Sequence, residues 1–268
     1  MRVFYFSIEY NENMKKISFP YSRAWVDAMA HYLQEEILKR DTQKFVANSE
    51  DIPTIFLAWA PGAWKTEFIE WMIEEKGTYI VLDTDTYRCL FDWYTWDNAH
   101  EFQQYASWVM DKMYSFCLKN WFNVIIDGTF SREDYADKNI QQCIKKNRSY
   151  AIILVYQDPI LSYLYTKKRE LEKKRHVPEE KFIQKFFGSI QVLKNIQSKY
   201  PESILFIAMK TMSRRKFVTE QVSSEEDIDL LINHEYTEEE LARAIKEINK
   251  THSWIIKTLL WKLLPRNN

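Results

Sequence analysis

The stretch Trp59-Ala60-Pro61-Gly62-Ala63-Trp64-Lys65-Thr66 has the residue types and spacing for phosphate chemistry. It fits GxxxxGK[ST] at every defining position except the two glycines. In a loop of that kind the backbone N–H groups wrap a nucleotide's phosphates. The lysine reaches the β- and γ-phosphates, and the hydroxyl holds Mg2+. An apolar run, Thr54 to Ala58, precedes the loop, and an amphipathic run from about Lys65 to Glu75 follows it. That strand–loop–helix setting lifts the signal well above a bare Lys-Thr pair in an ordinary turn, which is the competing reading.

Tryptophan at 59 and 64 conflicts with the chemistry, because glycine in such a loop permits φ > 0 and close backbone approach. The composition carries the same conflict. Glycine occurs 4 times and tryptophan 10 times, where average usage would give roughly 19 glycines. Trp93 and Trp96 stand in a loop-like stretch, and Trp121 follows Asn120 where a helix should end, near the position that favours glycine. Two explanations stay open. Some of these positions are UGA codons, which some bacterial lineages read as glycine and a common alternative code reads as tryptophan. Otherwise the chain is a genuinely tryptophan-rich protein with a blocked loop.

Other polar residues punctuate apolar runs. Asp83 and Asp85 follow Tyr79-Ile80-Val81-Leu82, and Asp127 ends Asn123-Val124-Ile125-Ile126 as a metal-orienting acid would. Carboxylates at strand ends suit a site, since ligands of open α/β sheets bind at the carboxyl ends of strands. Asp83 also suits the cap of a following turn. Basic residues cluster at 167–175 and 214–216. The five histidines show no ligand spacing, so no metal centre of the zinc type is expected.

The elements that must position these residues follow from the alternation of short apolar runs with helix-length ones. Strands are expected at 54–58, 79–82, 123–126, 151–155 and 204–208. Helices are expected over 65–75, 99–119 and 132–147, with two more before the last strand, the second opening at Pro178. Phe182, Phe186, Ile190 and Leu193 give that helix one apolar face. Residues 21–46 read as helical, with Ala28, Leu33, Ile37 and Leu38 as the stripe, and the chain from about Thr237 reads as helical again. The pattern predicts an α/β fold, a parallel sheet with helices on both faces, plus N- and C-terminal helical segments. The expected divisions are 1–52, 53–222 and 223–268.

Composition narrows the class further. Lys plus Arg is 37 and Asp plus Glu is 38, so no net charge draws the chain to nucleic acid or membrane. No apolar run reaches membrane length. Cys89, Cys117 and Cys143 lack CxxC spacing and read as reduced thiols, and the start lacks the pattern of a signal peptide, so a cytoplasmic protein is expected.

With the loop in place, the downstream segments resemble the zeta toxin family of P-loop kinases. Val81-Leu82-Asp83-Thr84-Asp85-Thr86-Tyr87-Arg88 is similar to that family's D-x-D segment. Val124-Ile125-Ile126-Asp127-Gly128-Thr129 is similar to its strand-end acidic-Gly-Thr motif. The stretches 164–170 and 174–178 resemble the two that carry its lid arginines. The likeness runs from about Pro53 to Phe206 in order, and two departures stand out: the missing loop glycines, and Asp127 where many relatives have Glu.

The resemblance implies a kinase that uses ATP or GTP with Mg2+ to phosphorylate UDP-N-acetylglucosamine or a related sugar nucleotide, in some members restrained by a small antitoxin. It implies Lys65 on the β/γ-phosphates, Thr66 on the metal and Asp85 as general base. Asp83, Asp127 and Thr129 would lie near the acceptor, and Arg169 and Arg175 would neutralise the transferring phosphoryl group, as guanidinium groups do well. A solvated basic helix face is the alternative for the two arginines. Other acceptors (a nucleoside, a polynucleotide end, an antibiotic) and a non-catalytic pseudokinase are the competing functions.

Overall fold

The structure, a computed structural model, describes residues 21–40, 42–46, 54–95, 98–173, 176–210, 216–232 and 236–250. Trp96, Arg175, the 48–53 stretch and the apolar tail at 255–264 lie outside the described residues.

Six strands form one sheet: β1 (Thr54–Trp59), β2 (Ile80–Asp83), β3 (Val124–Asp127), β4 (Ala151–Tyr156), β5 (Ile204–Lys210) and β6 (Phe217–Val222). Their order is β2-β3-β1-β4-β5-β6. Nine helices occur among the described residues: α1 (Arg23–Leu38), α2 (Lys65–Lys76), α3 (Thr84–Arg88), α4 (Ala99–Lys119), α5 (Glu133–Lys145), α6 (Pro159–Lys173), α7 (Glu179–Lys199), α8 (Glu225–Leu231) and α9 (Glu238–Lys250). By its contacts the chain divides into two compact units. One comprises Met1–Leu57, Ile69–Gly128 and Asp137–Ile152, the other Ala58–Phe68, Thr129–Ala136 and Ile153–Asn268.

In the first unit β2, β3 and β1 pair in parallel, with Thr54 to Leu57 in register with Val124 to Asp127 and Ile80 to Asp83 in register with the same four residues. Their side chains are buried nearly throughout, as the continuous apolar runs of a parallel sheet require. Tyr114 of α4 sits edge-on to Phe56 of β1 and donates to the Asn139 carbonyl at 3.0 Å. The buried Arg148 guanidinium donates to the Phe122 carbonyl at 2.7 Å. Burial pushes the Cys117 thiol up to about 12, so it is an inert packing group. An aromatic cluster of Tyr21, Trp25, Phe91 and Phe102 fastens α1 to α4 and to the turn after α3.

The predicted stripe of α1 is corrected here. Its buried side is Val26, Met29, Ala30, Leu33 and Ile37, while Ala28 and Leu38 face solvent. Helix–helix packing selected the i, i+3, i+4 set starting at Val26, which the sequence alone left ambiguous.

In the second unit β5 and β6 pair antiparallel, Leu205 with Val222 and Lys210 with Phe217. The predicted parallel sheet therefore gains an unpredicted antiparallel strand at this edge and is mixed, mostly parallel. β6 buries only Phe217 and Val222 and leaves Val218-Thr219-Glu220-Gln221 exposed, a polar edge that resists pairing with other chains. Phe182, Phe186, Ile190 and Leu193 of α7 are buried, as the periodicity indicated. Helix α9 packs against α6 and α7, burying Leu241 and Ile245. Its Asn249 exchanges hydrogen bonds with the Tyr163 hydroxyl.

Candidate functional site

The phosphate loop belongs to the second unit. β1 runs into it at Trp59, and the turn closes with Ala63 N–H donating to the Ala60 carbonyl at 3.1 Å. Gly62 adopts φ +88, and a Cβ there would stand 2.1 Å from the Ser162 carbonyl oxygen of α6. Only glycine fits, on both conformation and space. Trp64 follows in the left-handed region at φ 62. Its carbonyl accepts from Phe68 N–H at 3.0 Å, so Trp64 is the residue from which α2 starts. Lys65 and the exposed Thr66 are the first two residues of that helix, where the first-turn N–H groups and the dipole favour an anion.

Indole rings fill the space around this helix start. The Trp64 ring meets Tyr165 of α6 edge-on with centroids 4.2 Å apart, and its buried Nε1 finds no acceptor. Lys210 Nζ stands 3.1 Å from the centre of the Trp64 ring, and Lys65 Nζ 4.5 Å from the centre of the Trp59 ring. Both cations rest on indole faces. Burial lowers the Lys210 ammonium below its ordinary range, with Glu67 opposing. Lys210 was not singled out in the sequence, although its place at the carboxyl end of an apolar run is a usable signal. Trp59 itself is an extended strand residue, so the expectation of a left-handed backbone holds at 64 and not at 59.

The strand-end acids Asp83, Asp85 and Asp127 belong to the first unit. Asp83 and Asp127 end neighbouring parallel strands and are in register. Asp83 is the N-cap of α3: its carboxylate accepts from Asp85 N–H at 2.9 Å and from the Thr86 hydroxyl at 3.3 Å. Of the two readings the sequence allowed, capping is the one the geometry displays. Asp85 Oδ1 pairs with Arg88 Nη1 at 2.9 Å, and Arg88 also donates to Gln103 Oε1 of α4. Arg88 was missed from sequence, although an acid and a base three apart on one helix is a legible pair. Asp127 is 3% exposed, buried where β3 ends.

Thr129, in the second unit, shares a 2.8 Å hydrogen bond with the Ser131 hydroxyl. Arg169 lies half-buried on α6, among lysines held by acids of that helix: Lys167 with Glu170 at 3.0 Å and Lys168 with Glu172 at 3.9 Å. Glu170 also meets His176 Nδ1 at 2.8 Å. Among the described residues no group of three or more acids, histidines or cysteines could hold a metal ion. Thr66 offers one hydroxyl at this helix start as a donor for a Mg2+ brought with the phosphates. The Lys65 ammonium and the start of α2 fit a nucleotide's phosphates, and the Trp64 indole does not. No described helix is long and apolar enough to cross a membrane.

The zeta toxin family model matches residues 36–220, and the chain belongs to that family. Its fold is that of a kinase-type phosphotransferase. A solved structure of the PezAT chromosomal toxin–antitoxin system of Streptococcus pneumoniae is similar at a TM-score of 0.64 and 18% identity, covering 86% of this chain and 97% of that one. A native AvrRxo1-ORF1:-ORF2 complex is similar at a TM-score of 0.54 and 11% identity, covering 81% of this chain and 80% of that one. The same complex with ATP is similar at 0.54 and 12%, covering 83% and 81%. No curated protein matches the chain.

Proposed function

We propose that the chain transfers the γ-phosphoryl group of ATP or GTP to a sugar hydroxyl of UDP-N-acetylglucosamine or a related sugar nucleotide. The observation that carries this reading is Lys65-Thr66 opening α2 directly after the buried strand β1, within a chain of the zeta toxin family. Lys65 balances charge on the β/γ-phosphates, and Thr66 holds Mg2+, which supplies further neutralisation of the donor phosphates. Asp85, oriented by Arg88, accepts the proton of the acceptor hydroxyl as that oxygen attacks. Asp83 fixes the backbone N–H of Asp85 and so the start of α3. Asp127 and Thr129 contact the acceptor. Arg169 and Arg175 meet charge developing on the transferring group. A small antitoxin is the implied partner; the similar structure from a toxin–antitoxin system supports it.

The test is phosphate transfer from radiolabelled ATP to UDP-N-acetylglucosamine, with Lys65→Ala as the control. Labelled sugar nucleotide formed by the parent and lost in the variant supports the proposal. ATP binding without labelled sugar nucleotide leaves the kinase and removes this acceptor.

One observation favours a second reading, a pseudokinase that binds a partner: Lys65 and Lys210 both rest on indoles. Calorimetric titration of ATP·Mg2+ into the chain and into its Trp59→Gly/Trp64→Gly form separates the two. Tight binding by the parent removes the pseudokinase. Weak binding by both forms supports it.

A further inference from the structure

Six of the described tryptophans fall in two kinds of place. Trp25, Trp71 and Trp108 lie inside α1, α2 and α4. Trp25 stacks into the aromatic cluster with centroids 4.6 Å from both Tyr21 and Phe91. Trp108 carries the Arg23 guanidinium 3.9 Å over its ring and meets Tyr105 edge-on. These are sites where a large flat side chain does work that glycine cannot.

Trp64, Trp93 and Trp121 differ. Each has a left-handed backbone, with φ 62, 69 and 57. Among the described residues two other non-glycine residues share that region, Asn147 and Phe130, and two glycines, Gly62 and Gly77, do so as well. Asparagine tolerates the conformation; nothing in the structure explains Phe130. For an L-residue with a bulky side chain the left-handed region is strained by the approach of Cβ to the next carbonyl.

Each of the three also occupies a position that a standard motif reserves for glycine. Trp121 follows the C-cap Asn120 of α4, and Phe122 N–H donates back to the Cys117 carbonyl at 3.0 Å. That is the Schellman closure, whose left-handed residue is usually glycine. Trp93 is the third residue of a turn closed by Tyr94 N–H to the Phe91 carbonyl at 3.3 Å. Positive φ at that point calls for glycine or asparagine. Trp64 stands at the second glycine of the phosphate-loop pattern. The side chains confirm the mismatch with tryptophan's usual burial, for Trp93 is 76% exposed and Trp121 50% exposed. Trp121 makes one ring contact of note, with the Arg148 guanidinium 5.4 Å from its centre.

We infer that the natively translated protein carries glycine at 64, 93 and 121, these three codons being UGA read as glycine, while Trp25, Trp71 and Trp108 are true tryptophans encoded by UGG. One cause then accounts for the left-handed backbone at the three positions and moves the composition from 4 glycines and 10 tryptophans toward ordinary usage. Trp59 has no such backbone, and the inference does not extend to it.

At position 64 the inference deepens the kinase reading and rests on it; at 93 and 121 it stands without it. Removing the indole at 64 takes away the face on which Lys210 rests and opens the space before Lys65. Lys210 then becomes a second cation for the phosphates.

The experiment has two arms. Peptide mass spectrometry of the protein isolated from its own source, read beside the gene's codons, should give glycine with UGA at 64, 93 and 121 and tryptophan with UGG at 25, 71 and 108. Tryptophan in the native peptides at these three positions overturns the inference. The second arm uses recombinant protein as written. Trp93→Gly and Trp121→Gly should each raise Tm, because strain is relieved and exposed indole removed, whereas Trp71→Gly and Trp108→Gly should lower it. A fall in Tm for both Trp93→Gly and Trp121→Gly overturns the inference. Neither arm reads nucleotide, so glycine found at these positions together with absent ATP binding would retain this inference and remove the proposed function.

Discussion

The acidic strand ends and the phosphate loop are both built on residues just past a strand, yet their local physics is opposite. Asp83 and Asp85 are held by short-range partners that the same segment supplies: the Asp85 N–H, the Thr86 hydroxyl and the Arg88 guanidinium. No residue from Asp83 to Arg88 has a left-handed backbone. The loop instead places two demands on the left-handed region, at Gly62 and two residues on at Trp64, and only the first is met by a residue suited to it. The difference teaches that polar function at a strand end needs the right side chains, whereas phosphate binding by backbone needs the right absence of side chains. Tryptophan is the residue least able to supply that absence.

The largest effect expected from this contrast is on chemistry. In protein with glycine at 64, Asp85→Asn should lower turnover by about 10²–10⁴-fold with ATP affinity nearly unchanged, read by single-turnover phosphate transfer and calorimetry. Unchanged turnover would move the base to Asp83 or Asp127. Next comes Gly62→Ala, which puts a methyl against the Ser162 carbonyl in a strained backbone. A loss of about 2–4 kcal/mol of stability is expected from denaturant unfolding, and an unaffected midpoint would mean that the loop can reshape freely.

A smaller effect is expected from Arg88→Lys, which keeps the charge and loses the fixed geometry of the pair with Asp85. Turnover should fall about tenfold, with the KM for ATP unmoved; a rise in that KM instead would assign Arg88 to the donor. The smallest is Asp83→Ala, which removes a helix cap and should cost about 1 kcal/mol in thermal or chemical denaturation. A turnover loss as large as that of Asp85→Asn, at intact stability, would show that Asp83 does more than cap.

Much of the architecture was legible because its signals are local. The buried strands are continuous apolar runs, α4 shows its Phe102, Ala106, Val109 and Met113 face at helical spacing, and Pro178 marks the start of α7. What was missed lacks such signals. β6 reads Phe-Val-Thr-Glu-Gln-Val, with four exposed residues and no clean alternation, and exists because β5 offers it a hydrogen-bonding edge. α3 is a single turn whose stability lies in the Asp83 cap. The outward turn of Ala28 and Leu38 depended on which side of α1 the aromatic cluster captured. Lys65, Thr66, Asp85 and Asp127 were singled out by motif, whereas Arg88, three residues past Asp85, and Lys210, at the end of an apolar run, carry weaker local signals and stand out through what they touch.

By itself the sequence determined the order of strands and helices, the placement of a phosphate loop after the first strand and acids after the next two, and the excess of tryptophan over glycine. These follow from periodicity, motif and composition, which neighbouring residues fix among themselves. Tertiary structure decided the antiparallel edge at β6 and the resting of Lys210 on Trp64. It also decided which tryptophans sit in helices and which are forced into left-handed turns. Those outcomes join residues distant in the chain or depend on backbone angles imposed by closing a turn or ending a helix, and no local pattern of residue types encodes either.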